Sequence, residues 1–406
     1  MPMTYDDFKH LGMRLDMSRG KPASEQLDLS RALLDEAGTA GFLSRDGIDC
    51  RNYGQVLGLP EAREFGAALL DVSASQVVAA GNSSLELMHD VLAFAMLFGV
   101  PGAPGKPAWR KQDDVAFLCP VPGYDRHFAI CEALGIRMIN VPMNDDGPDM
   151  DFVEAQVASD PAIKGIWCVP LYSNPSGTIY SDDVVRRLAA MPTAAPDFRL
   201  MWDDAYRFHH LTPHKHATLN VLDACAAAGH EDRALVFASL SKVTFGGGAM
   251  AFLAGSRRNV EWWQQRVSVR TIGPDKLNQL RHVRFLRDRA GLERLMERHR
   301  ALLSPKFAAI AAAFDEHLGG LPGVSWNEPA GGYFISLFTP PGSAKRTVAL
   351  AADAGLVLTP AGAAYPHGRD PDDRHLRIAP TFPALDEVRL AAQGIALSMR
   401  RALEEA

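Results

Sequence analysis

Lys242 stands in FASLSKVTFGGGAMA (237–251), after an apolar run and before a glycine-rich turn. A lysine amine can condense with a carbonyl to form a Schiff base. It must first lose its proton, so such a lysine needs a desolvated or cationic setting that lowers its pKa. Ser239 and Ser241 bring hydroxyls beside it, and the glycines 246–248 let an anionic group approach the backbone. Taken alone, a lysine at a strand end is an ordinary surface residue.

Other segments carry matching chemistry. WDDAYRF (202–208) puts Asp203 at the end of a buried-looking strand and Tyr206 three residues on. A carboxylate there can pair with a protonated ring nitrogen and keep the ring an electron sink. In LYSNPSGTIY (171–180), Asn-Pro forces an extended turn that would hold the Asn174 amide still. AAGNSSLELMHDVLAFAM (79–96) runs Ser83 and Ser84 into an amphipathic helix, whose free N–H groups suit a phosphate. Tyr124 in VPGYDRHF can stack on a flat ligand, and Arg377 in HLRIAP offers a planar fork to a carboxylate. Each piece also has a plain reading, as a turn, an N-cap, a core tyrosine or a structural salt bridge.

These residues need a frame that gathers them. The apolar runs 115–120, 137–143, 163–171, 199–204, 233–241 and 249–256 predict buried strands, with helical segments in most of the gaps. Strands apolar on both faces, alternating with helices, predict a mostly parallel sheet covered on both sides. VLAFAMLFGV (91–100) reads as a buried helix end. From about 276 to 318 the pattern turns to long charged helices, and GGYFISLF and HLRIAP then read as strands of a separate α+β unit. The expected division is a large domain over 48–295 and a smaller one made of 1–47 and 296–406.

The order phosphate turn, aromatic, Asn-Pro-x-Gly, Asp-x-Ala-Tyr, Ser-x-Ser-Lys and late Arg resembles the fold type I, class I/II aminotransferases, from about residue 17 to the C-terminus. That resemblance implies an α/β fold with a mostly parallel seven-stranded sheet between helices, a small α+β domain, and pyridoxal 5′-phosphate (PLP) as cofactor. It implies that Lys242 carries the cofactor and shuttles a proton, while Asp203 meets the ring nitrogen. Asn174 and Tyr206 would meet the ring oxygen, and Asn174 the substrate too. Ser83, Ser84, Ser239 and Ser241 would bind the phosphate, Tyr124 would stack on the ring, and Arg377 would bind the substrate α-carboxylate. Tyr53 in RNYGQVLGLPEAR looks like a tyrosine that reaches the phosphate of the other subunit, which implies a homodimer with shared active sites. MSRGKP (17–22), with Arg19 and Gly20, looks like a substrate-closing arm, and GGYF (331–334) and TPAGAAYP (359–366) look like small-domain signatures.

Most relatives carry an arginine eight residues after the lysine as a phosphate ligand; here that position is Met250. With SRGKP and PGYDRHF, this departure resembles a divergent aspartate-aminotransferase-like bacterial subgroup, some of it labelled MocR-type. The roughly 50 residues before the Tyr53 motif leave no room for a DNA-binding winged helix, so the expectation is the subgroup without one. The implied activity moves an amino group between an L-amino acid, aspartate or glutamate, and a 2-oxo acid such as 2-oxoglutarate. Arg19 and Arg270 are the cations that could meet a second carboxylate. A PLP lyase or decarboxylase of the same fold, and a non-catalytic PLP-binding sensor, remain the alternatives.

Composition bounds the rest. The chain has 406 residues and a formal net charge of -6, which suits nucleic-acid backbones poorly. Five scattered cysteines without a CxxC predict reduced, mostly core residues of a cytoplasmic protein. No signal peptide and no apolar run of membrane length is present, so no membrane partner is expected. HHLTPHKH (209–216) lacks a carboxylate or cysteine set, so no metal is expected. No GxGxxG follows the first strand, against a nicotinamide-binding enzyme.

Overall fold

The computed structural model describes residues 3–36, 41–102, 105 and 107–405. Thirteen strands occur among them, in chain order: β1 (Leu15–Asp16), β2 (Val77–Ala79), β3 (Ala116–Val121), β4 (Arg137–Asn144), β5 (Gly147–Pro148), β6 (Ile163–Cys168), β7 (Arg199–Asp203), β8 (Ala234–Ser239), β9 (Ala251–Gly255), β10 (Ser325–Trp326), β11 (Ile335–Phe338), β12 (Leu356–Val357) and β13 (His375–Ile378).

The large sheet has the order β2-β9-β8-β7-β6-β3-β4-β5. Strands β4, β3, β6, β7 and β8 are parallel neighbours, and β9 runs against both β8 and β2. The expected seven strands are present, and the two-residue β5 extends the edge through an antiparallel pair with β4. Period-2 alternation explains why the central strands read as unbroken apolar runs. Leu200 and Trp202 pack in one core while Met201 packs in another on the opposite face. Two expectations need correction. RMINVPM is not a buried strand: β4 is mostly exposed or half-buried, because only β5 covers its outer side. The end of the helix Ser84–Phe98 is not buried either, since Leu97 and Phe98 project to solvent.

The charged stretch forms two helices, Lys276–Leu286 and Arg289–Leu318, broken at Arg287, whose φ is +66°, and restarted by the Asp288 N-cap. The second helix joins two cores. Leu292, Leu295 and Met296 belong to the core under the large sheet. Leu303, Phe307, Ile310 and Phe314 belong to the core of the β10-β11-β13 sheet, and Pro305 lies near this change. The boundary expected after residue 295 therefore falls within one continuous helix. All five cysteines are buried and free. Among the described residues, no helix is long and apolar enough to cross a membrane.

Candidate functional site

Parallel strands align their C-terminal ends, and four neighbours here end in polar residues. β3 leads to Tyr124, β6 to Asn174, β7 closes on Asp203, and β8 leads through Ser239 and Ser241 to Lys242. The register Asp203↔Phe237 brings the ends of β7 and β8 side by side.

The Lys242 amine lies 5.1 Å from the centre of the Tyr206 ring. Burial pushes its pKa down, and the Asp203 carboxylate opposes that shift. Burial, with Tyr124 and Asp203 close by, drives the Tyr206 phenol well up. Burial likewise raises Tyr124, again beside Asp203. The Lys242 backbone is fastened from below. Its carbonyl accepts from the Tyr333 hydroxyl at 3.3 Å and is met by His209 Nε2 at 3.4 Å. Gln26 donates to Tyr333 at 3.1 Å and meets His299 at 3.0 Å, while His299 reaches the Val243 carbonyl at 3.1 Å. The turn carrying the amine is thus fixed by residues from four distant segments.

Asp203 Oδ2 lies 3.0 Å from His127 Nε2, and the His127 ring stacks on Trp167 at 4.1 Å and 5°. The other carboxylate oxygen, Asp203 Oδ1, is buried with no hydrogen-bond partner, and so is Asn174 Oδ1. Buried polar atoms are nearly always paired. Here two orphans stand at adjacent strand ends.

Small polar groups stand at the start of the helix Ser84–Phe98 and after β8. Ser83 caps the helix Ser84–Phe98, its hydroxyl accepting from the Glu86 N–H at 3.4 Å. Ser239 and Ser241 share a hydrogen bond of 2.8 Å. Asn82 donates to the Gly247 carbonyl at 3.3 Å, joining the helix start to the glycine turn. Met250, by contrast, is fully buried in the core under the sheet.

Arg377 on β13 comes from the small sheet. Its Nη1 donates to Asp125 at 2.7 Å, its Nε is buried without a partner, and its guanidinium lies 5.0 Å from the centre of the Phe334 ring. Phe334 also abuts Gly20, where a Cβ would stand 2.3 Å from the ring. The arm bearing Gly20 is held by Met17 bonding Val357 and by Thr359 bonding the Ser18 carbonyl. Arg19 is exposed. Arg270 is committed elsewhere, to Glu86 at 3.1 Å and Asp90 at 2.8 Å. Tyr53 is 82% exposed and touches none of these groups. In the histidine run, His210 bonds the Tyr172 hydroxyl at 2.6 Å, and no set of three potential metal ligands occurs among the described residues.

Sequence reasoning missed His127, Asp125, Phe334 and the Gln26–Tyr333–His299–His209 support. His127 had a local signal, since it lies one helical turn after Tyr124 on the same face. Tyr333 and Phe334 lie in the GGYF signature and Asp125 follows Tyr124, but nothing local told which groups they would meet, because distant segments bring those in.

The sequence profile of the aspartate amino-transferase family matches residues 1–406. An aminotransferase of Mycolicibacterium smegmatis is 52% identical over 404 residues, 99% of this chain and 94% of that one. The aspartate aminotransferase of Corynebacterium glutamicum is 43% identical over 401 residues, 99% of this chain and 92% of that one. The crystal structure of an aminotransferase from Corynebacterium diphtheriae, 44% identical, superposes with a TM-score of 0.96 over 99% of this chain and 98% of the other. A match of this extent, on a fold whose strand ends gather a half-buried lysine, an aspartate, an asparagine and a tyrosine, shows that the chain is an enzyme of the PLP-dependent aspartate amino-transferase family.

Proposed function

We propose that the enzyme moves an amino group between an L-amino acid, aspartate or glutamate, and a 2-oxo acid such as 2-oxoglutarate, with PLP held at the strand ends. The observation that carries this reading is the half-buried Lys242 beside the buried Asp203, Asn174 and Tyr206, with Asp203 Oδ1 and Asn174 Oδ1 left unpaired. These residues fit the cofactor. Asp203 would hold the ring nitrogen protonated, Asn174 and Tyr206 would meet the ring oxygen, and Tyr124 would cover the ring. Ser83, Ser84, Ser239 and Ser241 would receive the phosphate. When bound, the cofactor supplies an electron sink for the Cα–H bond of the amino acid.

The chain's own residues do the rest. Lys242, whose amine burial makes easier to deprotonate, would take the Cα proton as base and then, as acid, deliver it to the cofactor carbon bearing the nitrogen. Tyr333 and His209 keep its backbone fixed during that transfer. Arg377 grips the α-carboxylate with the edge of its fork that Asp125 leaves free, over the face of Phe334. Arg19 on the arm is the cation offered to a second carboxylate, because Arg270 is already paired with Glu86 and Asp90. The aspartate assignment is supported by the name of the C. glutamicum relative.

We further propose a homodimer. Tyr53 is exposed in the single chain, as are Val269 and Ile272. Their loops touch: a Cβ on Gly273 would lie 2.1 Å from the Gly54 carbonyl, and Lys276 bonds the Asn52 and Gly54 carbonyls. Such an exposed apolar patch fits a subunit contact that would bring Tyr53 to the partner's phosphate. In the same reading, residues 48–295 hold the cofactor, while 1–47 and 296–406 carry the arm and Arg377.

An absorbance spectrum tests the core of this reading. Protein mixed with PLP should show a visible band that Lys242→Ala lacks and that L-aspartate bleaches without 2-oxoglutarate. Bleaching by other amino acids only would overturn the aspartate assignment. Absence of any Lys242-dependent band would overturn the cofactor reading.

A further inference from the structure

Met250 leaves the phosphate cup without the cation expected on its own turn, since its side chain is neutral and buried in the core. Hydroxyls and backbone N–H groups alone leave a phosphate under-neutralised in a partly desolvated site. A different arginine reaches the same turn. Arg281, on the helix Lys276–Leu286, brings its Nη2 within 3.4 Å of where a Cβ on Gly248 would stand. The guanidinium thus lies against the open side of the turn at Gly248, within contact distance of that residue.

The guanidinium is also aimed. Its Nε donates to Asn278 Oδ1 at 2.8 Å, and Asn278, itself buried, donates to the Ala249 carbonyl at 2.5 Å. Asn278 thus couples the arginine to the backbone beside Gly248, while Asn82 holds the Gly247 carbonyl from the helix start that carries Ser83 and Ser84. A Cβ on Gly246 would lie 3.4 Å from the Ser241 carbonyl, which places the other end of the turn against the serine pair. Among the described residues no carboxylate pairs with Arg281, unlike Arg270, whose charge Glu86 and Asp90 absorb.

We propose that Arg281 is the cation of the cofactor-phosphate site, supplied from the helix Lys276–Leu286 in place of the arginine missing at Met250. This rests on the PLP reading above. Asn278 is then a positioning residue, setting the guanidinium against the turn. The design separates two jobs that one turn usually combines: Met250 fills the core, and the charge comes from a neighbouring helix.

The test is the affinity of cofactor-free protein for PLP, and for pyridoxal, which lacks the phosphate, read from the Lys242-dependent band in wild type, Arg281→Met and Arg281→Lys. Loss of a charge-assisted contact should weaken PLP binding in Arg281→Met about 10- to 100-fold, with pyridoxal held within about twofold and Arg281→Lys recovering most of the loss. Unchanged PLP affinity in Arg281→Met would overturn the proposal, as would an equal loss for pyridoxal, which would mark a general structural role. If wild type forms no such band with PLP, the cofactor reading itself falls, and this proposal with it.

Discussion

His127→Phe isolates one hydrogen bond. Phenylalanine keeps an aromatic ring on Trp167, where His127 stacks at 4.1 Å, and removes both ring nitrogens, including the Nε2 that lies 3.0 Å from Asp203 Oδ2. Asp203 would then have both oxygens buried and unpaired, since Oδ1 already lacks a partner. A hydrogen bond to a charged group contributes about 1.5–3 kcal/mol, so orientation of the carboxylate should weaken by about 2 kcal/mol. At about 1.4 kcal/mol per factor of ten, that is roughly a 30-fold fall in kcat/KM for amino transfer. If His127 acts through Asp203, the loss should vanish once Asp203 is already Asn. The assay is a double-mutant cycle of wild type, His127→Phe, Asp203→Asn and the double variant, by single-turnover bleaching of the visible band. The coupling should be about 2 kcal/mol, with the double variant close to Asp203→Asn. Additive losses would refute the reasoning and give His127 an independent role.

Lys242→Met bears on pH-dependent stability. Burial lowers the Lys242 pKa in the folded chain, so between that value and the unfolded value of 10.5 the unfolded chain binds more protons and stability rises with pH. Cofactor-free Lys242→Met should therefore melt higher than wild type at pH 7, with the gap shrinking as pH rises towards about 10.5 and level above it; a lower melting temperature at pH 7 would contradict this. Activity should fall as acid protonates the free amine, and a rate indifferent to acid would exclude Lys242 as the base. Gly20→Ala places a methyl 2.3 Å from the Phe334 ring beneath Arg377, so KM for the amino acid should rise about tenfold while PLP affinity stays level; an unchanged KM would separate the arm from the carboxylate site. Lys164→Met leaves Asp197, its partner at 2.9 Å, buried without its charge, although Trp109 and Gln112 still donate to it. Stability should drop by about 3 kcal/mol with kcat unchanged, measured by denaturant melts and steady-state rates; an unaltered melt would show that the two neutral donors suffice.

The sheet and its site-bearing ends were legible in the sequence, because buried parallel strands write themselves as continuous apolar runs and the polar residues that interrupt them stand at strand ends. Asp203 after RLMW, Asn174 after IKGIWCVPL and Lys242 after ALVFASLS are all of this kind. The edge position of β4 was not legible, since its composition resembles a central strand and only the topology leaves one side uncovered. Residue types and their spacing determined which groups would meet, since order along a parallel sheet fixes which ends are neighbours. Only the tertiary structure decided how each group is held. The pairing of Asp203 with His127, the Tyr333 and His209 contacts on the Lys242 carbonyl, the Asp125 partner of Arg377 and the reach of Arg281 to Gly248 join segments up to hundreds of residues apart. Such contacts depend on the packing of one element against another, and local sequence carries no record of a neighbour that folding brings from elsewhere.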